Sequence, residues 1–166
     1  MLENLITSKT RLRLLIKFFI NISNEGYLNG LATEFNESTN SIRKELNNLS
    51  SVGYLKKQQI NNKVIYSANN EHPLFSVLQK IIRTHLGIED IITRVLNQLG
   101  DVYKIFLVGD YAKGIDSGII EIILVGENVD EKYLKNLKNK IEIIIERKVK
   151  FTIKHKFPAK DFILLS

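Results

Sequence analysis

Apolar positions first recur at helical spacing. Leu12, Leu15, Ile16, Phe19 and Ile20 share one face, and Ser8 ahead of them is suited to cap the helix they predict. Residues 21–26 read as a turn and Tyr27-Leu28 as a short extended piece. Gly30 is expected to open a second, short helix carrying Leu31, Ala32 and Phe35. Asn36 suits a left-handed helix end. Ser38 can cap a third helix over 39–49, with Ile42, Leu46 and Leu49 on one stripe and Gly53 as its stop. Two short strands follow, 54–59 and 63–68. Ile60-Asn61-Asn62 joins them, and the paired asparagines tolerate the backbone of a tight hairpin. His72-Pro73 then starts a helix with Leu74, Phe75, Leu78, Ile81, Ile82 and Leu86 apolar, ending near Gly87.

The pattern changes beyond that point. A helix is expected over 88–99, with Ile91, Ile92, Val95 and Leu96 buried. Residues 102–108 are β-branched and aromatic, and read as a strand. The segment 109–114 reads as a tight turn and one helical turn. Residues 119–125 are almost continuously apolar, which predicts a strand covered on both faces. Asp130 can cap a helix over 131–147, and 149–155 is a third strand. Strands alternating with helices predict a sheet domain. The expected fold class is α+β. An N-terminal domain spans 1–71, a linker helix 72–87 and an α/β sheet domain 88–166.

Composition narrows the chemistry. The 166 residues are 44% hydrophobic and 25% charged, which suits a folded chain. Cysteine is absent, so disulfides, thiolate metal sites and cysteine nucleophiles are excluded. His72, His85 and His155 are too scattered for a histidine cage, and no metal or cofactor is expected. The longest apolar runs are too short or too interrupted to span a bilayer. The N-terminus lacks the basic-then-apolar order of a secretory signal, so a cytoplasmic location is expected.

Net charge is +6. Residues 1–70 hold nine Lys/Arg against five Asp/Glu, residues 71–100 three of each, and residues 101–166 twelve against ten. The excess leans to the N-terminal part. A basic domain is an electrostatic footprint for nucleic acid, although a chain this rich in Lys, Asn and Ile also reflects coding bias.

The order is helix, short strand, helix, turn, helix, hairpin, and its core text is LATEFNESTNSIRKELNNLSSVGYLKKQQINNKVIYSAN, residues 31–69. It resembles winged helix-turn-helix transcriptional regulators of the arsenic-repressor type over about residues 1–70. The matching features are small Ala32, the turn after Phe35, and a wing after Gly53-Tyr54-Leu55. The metal-binding cysteines of some members are missing. The resemblance implies that the third helix enters a major groove of double-stranded DNA. Off its apolar stripe lie Thr39, Asn40, Arg43, Lys44 and Asn47. Arg can grip guanine and Asn adenine in two places each, while Arg43 or Lys44 can instead hold phosphate. The wing adds Lys56, Lys57 and Lys63, suited to the DNA backbone or minor groove. The alternative is a solvated polar face, or a winged helix used only for protein contacts.

The segment IFLVGDYAKGIDSGIIEIILVG, residues 105–126, resembles the minimal nucleotidyltransferases of the polymerase-beta superfamily, over roughly 88–155. Gly109, Tyr111, Ala112, Lys113, Gly114 and Ser117 fit the frame. The catalytic positions do not. The family serine is Asp110, the Asp-x-Asp pair falls on Ile119 and Glu121, and the third acid falls on Lys150. One glutamate and one lysine cannot hold the two Mg²⁺ ions of phosphoryl transfer. The domain is therefore expected to be a degenerate relative and not an enzyme, with Gly109, Asp110, Glu121 and Lys150 marking the old site. Asp110 is expected to cap the helical turn after it, and Lys150 to pair with Glu121. The combined expectation is a DNA-binding regulator and homodimer, whose second domain serves dimerisation or the sensing of an unknown effector. The alternative is an active nucleotidyltransferase targeted by a winged helix.

Overall fold

The computed structural model describes residues 2–99, 101–157 and 163–165. It is a mixed α+β chain with two sheets. It divides into two compact units, Met1–Ile82 and Arg83–Ser166, with the boundary inside a helix. Among the described residues, no helix is long and apolar enough to cross a membrane.

In the first unit, α1 (Lys9–Phe19) starts as its residues dictate, with the Ser8 hydroxyl accepting from the Arg11 N–H at 3.1 Å. The predicted stripe is buried, and so are Leu14 and Phe18 on the other side. A helix buried nearly all round is a core element rather than an amphipathic cover. A two-residue strand, β1 (Glu25–Gly26), comes next, and α2 (Leu28–Phe35) begins two residues earlier than Gly30 suggested. Gly30 lies inside the first turn of α2. A Cβ there would come within 2.8 Å of the Tyr27 ring, so the glycine makes room for packing and opens nothing. Asn36 is left-handed at φ 53°, and the N–H groups of Asn36 and Glu37 close α2 on the carbonyls of Thr33 and Ala32.

Ser38 caps α3 (Thr39–Ser51) by accepting from the Ser41 N–H. Ile42, Leu46 and Leu49 are buried as the stripe requires. Gly53, at φ 81°, and Tyr54 donate to Ser50 and Leu49, ending α3 in a left-handed turn. The hairpin β2 (Leu55–Ile60) and β3 (Lys63–Ala68) pairs Ile60 with Lys63, leaving a two-residue turn in which Asn61 takes φ 53°. The sheet order is β1-β3-β2. Helix α4 (Phe75–His85) crosses the unit boundary, so the predicted linker belongs to both units.

The second unit continues with α5 (Ile88–Gln98), β4 (Val102–Val108), the single turn α6 (Gly109–Ala112), β5 (Ile119–Gly126), α7 (Glu131–Ile145), β6 (Lys148–Lys154) and β7 (Ile163–Leu164). The sheet order is β6-β5-β4-β7, with β5 antiparallel to β4 and parallel to β6 through the α7 crossover. Ile105, Leu107, Ile120, Ile122, Leu124 and Val149 are buried on one sheet face, with α5 packed on β4 and α7 on β6. The opposite face is partly open. Ile119 is 51% exposed and Glu121 half-buried, so β5 is not covered on both faces as its apolar run suggested. Three smaller expectations also shift. Leu96 is exposed and Ile92 half-buried, α7 stops at Ile145 because Glu146 turns left-handed at φ 55°, and β7 had no sequence signal.

Charged side chains join the first unit's helices. Glu45 of α3 is almost fully buried. Its carboxylate accepts from the Ser8 hydroxyl and from Arg11 Nε, each at 2.8 Å. Lys17 meets Glu34 at 3.0 Å, and Arg13 meets Glu37 at 2.6 Å while also donating to the Phe35 carbonyl. Burial alone would raise the Glu45 pKa, but the hydrogen bonds from Arg11 and Ser8 outweigh it and hold it low. A lowered folded-state pKa adds stability above the ordinary glutamate value, and that stability is lost as pH falls through the lowered one. Replacing Glu45 by Gln should therefore cost about 1–3 kcal/mol at neutral pH in urea unfolding, with the loss shrinking at acid pH. A variant equally destabilised at all pH values would remove the ionic role.

Candidate functional site

The outer face of α3 is built by helical spacing. Asn40, Arg43, Lys44 and Asn47 stand at i, i+3, i+4 and i+7, with Thr39 at the first turn, and all five are exposed. Arg43 donates from Nη1 to Asn40 Oδ1 at 3.0 Å, which aligns two of the polar groups. The same helix turns Ile42, Glu45, Leu46 and Leu49 inward. One face therefore holds the helix on the unit while the other offers amide, hydroxyl and cationic groups to a partner.

The charges of the unit are sorted. Three of its acids, Glu34, Glu37 and Glu45, are tied to Lys17, Arg13 and Arg11. That leaves the α3 face and the hairpin cationic. On the hairpin, Lys57 stands 5.8 Å from the Tyr66 ring centroid, and Lys63 lies over the Tyr27 ring at 4.1 Å. Lys56 differs from expectation in one respect: Glu71 meets it at 2.8 Å, so its charge is offset locally. That pair is exposed, and such pairs are weak. A cleft of about 250 Å³ beside the hairpin is lined by Tyr27, Asn29, Asn62, Lys63 and Tyr66, among others.

In the second unit the strands bring three of the four marked residues together. Glu121 and Lys150 are register partners on β5 and β6, and Lys150 Nζ reaches Glu121 Oε1 at 3.1 Å, as charge alone suggested. Gly109 has φ 68°, and a Cβ on it would stand 2.1 Å from Glu121 Oε2. The carboxylate thus occupies the space that the missing side chain leaves. Asp110 does not do what was expected of it. It is exposed, and α6 carries no side-chain cap. The α6 turn instead begins from extended Val108 and is held by the burial of Tyr111 and Ala112.

A cluster that spacing did not reveal closes the loop after α6. The fully buried Tyr111 donates its hydroxyl proton to Asp116 and accepts from the Gly118 N–H and from Arg147 Nε. Arg147 also grips Asp116 at 2.9 Å. Burial first, then the bond to Asp116, pushes the Tyr111 phenol well above its ordinary value. Burial would raise Asp116 too, but hydrogen bonds from Arg147 and Tyr111 hold it low. The only sequence sign of this cluster was one arginine and one aspartate beside apolar strands, thirty-one positions apart. Among the described residues, no three His, Cys, Asp or Glu side chains gather as a metal site.

No protein-family model, curated protein or solved structure matches the chain.

The raised phenol pKa favours the protonated folded form. Its contribution is present below the ordinary phenol value and lost as pH rises through the raised one. In an alkaline absorbance titration, the ionisation of Tyr111 should coincide with unfolding, and Tyr111→Phe should remove that step. The same substitution should cost about 1–3 kcal/mol in urea. Unchanged stability would show that the cluster does not hold the loop.

Proposed function

We propose that the chain is a DNA-binding transcriptional regulator of the cytoplasm, with a winged helix as its reading domain and a nucleotidyltransferase-like second domain that no longer transfers nucleotides. The sorting of charge in the first unit carries this reading. Three of its acids, Glu34, Glu37 and Glu45, are tied to basic residues of α1, and among the described residues Arg43, Lys44, Lys57 and Lys63 face outward without an ion pair. A solvated face with no partner gains nothing from such sorting, whereas a polyanion does. The element order of the unit supports a winged helix, in which α3 reads base edges and the hairpin holds the backbone.

In the second unit, the antiparallel β4–β5 and parallel β5–β6 pairs, with a helical turn at Gly109, support the nucleotidyltransferase-like reading. Lys150 sits where that family needs an acid, and it already engages Glu121. The remaining role is dimerisation or effector sensing. Leu74, Val77 and Ile81 form an exposed apolar row at i, i+3 and i+7, which supports pairing of two chains; of the other apolar residues of this helix, Leu78 is half-buried and Ile82 buried.

Selection from a random pool of duplex DNA should enrich one motif at moderate salt, and enrichment of nothing would sink the regulator reading. Arg43→Ala should cost about 1–3 kcal/mol and relax one position of that motif. Lys57→Ala or Lys63→Ala should weaken all sequences alike and flatten the salt slope by about 0.9 each. A dimer would place half-sites roughly 34–36 Å apart, and light scattering that gives a monomer with and without DNA would rule it out. Calorimetry with Mg-ATP should give no tight binding; labelling of protein or nucleic acid that is lost in Glu121→Ala would restore the enzyme reading.

A further inference from the structure

Strand β6 lies at one end of its sheet, hydrogen-bonded to β5 alone among the described residues. In a parallel pair the peptide groups of alternate residues point to opposite sides. The Lys148 N–H reaches the Gly118 carbonyl on the side of β5, and the Val149 N–H instead donates to Glu142 Oε1 at 2.8 Å. The outward set is therefore Val149, Phe151 and Ile153. Val149 is sealed by Glu142, while Phe151 and Ile153 have no outward partner among the described residues. These two residues line a groove of about 380 Å³ between β6 and α7, with Leu134 as further apolar lining and Lys135, Lys138 and Lys150 around it. Glu131 is the one acid in its lining, and Glu142 at its end pairs with Lys148 at 3.3 Å and Lys138 at 3.9 Å.

We infer that this edge takes an extended acidic segment of a partner protein as an added strand. Open peptide N–H and C=O groups pair with another strand, and side-chain pockets beside them choose its residues. The lysines set the sign of those residues. They also bar a second copy of β6, because Lys148, Lys150 and Lys154 would then face their own kind. A nucleic acid would meet the lysines but leave the open peptide groups without a complementary ladder. The Glu142–Val149 bond stops the added strand at that end, so pairing is confined to Phe151 and Ile153. None of this rests on the DNA-binding reading.

The probe is a fluorescent, end-blocked octapeptide alternating glutamate with valine, titrated into the full chain by anisotropy. It should bind saturably, with amide shifts at Phe151 and Ile153 in NMR spectra. A probe of the same sequence N-methylated on every residue should bind at least about tenfold more weakly, because neither of its edges can pair. A lysine–valine probe should not bind. Lys135→Glu with Lys138→Glu, both on the helix surface, should lower affinity by about tenfold or more. Equal binding of the N-methylated probe would overturn strand addition, as would displacement of the peptide from Phe151 and Ile153 by an oligonucleotide, or self-association of the chain through β6.

Discussion

Everything that α3 can present depends on how it is held, and it is held by charge as much as by its apolar stripe. Glu45 is on the buried side of the helix. A carboxylate there is costly unless it is bonded, and Ser8 and Arg11 bond both of its oxygens. The same serine caps α1, so one side chain fixes the start of one helix and the rotation of another. Lys17 and Arg13 repeat the arrangement with Glu34 and Glu37 at the two ends of the α2–α3 turn. An apolar stripe tolerates a helix rolling by a few degrees, whereas a two-oxygen bond to a buried glutamate does not. The exposed row of Asn40, Arg43, Lys44 and Asn47 therefore has a defined direction before any partner arrives.

The parts legible in the sequence were those whose cause is local. Ser8, Ser38 and Asp130 act within three residues of themselves, and each caps the expected helix. Asn36, Gly53 and Asn61 take backbone conformations that few residues accept, and each ends an element where it should. The α3 face was legible for the same reason, since helical spacing alone decides which of its side chains look outward. The misreadings had distant causes. Gly30 resembled a helix start, but its constraint is the Tyr27 ring. Leu96 looked like core until the packing of α5 left it outside. Glu71 is far enough from Lys56 that only the folded hairpin shows them together. The Tyr111, Asp116 and Arg147 cluster joins one helical turn to two separate loops, and no periodicity links them.

The second unit shows one frame with two different supports. Tyr111, Asp116 and Arg147 hold the loop after α6 through bonds to one another and to the Gly118 N–H. Across the sheet, Glu121 lies against Gly109 and pairs with Lys150. Gly109 is needed twice over, for its positive φ and for the space that Glu121 fills. A side chain at that position would drive the glutamate off and unpair Lys150. The carboxylate is thus a structural partner of the glycine turn.

Two cationic surfaces follow from this architecture, and they differ in kind. The α3 face displays side chains on a helix whose peptide groups are satisfied within it, so it can select a partner only through side-chain contacts. The β6 edge displays lysines together with the open peptide groups of Phe151 and Ile153. Charge alone would let either surface attract any polyanion. Backbone complementarity separates them, because an open strand edge gives its hydrogen bonds to another strand and a closed helix gives none.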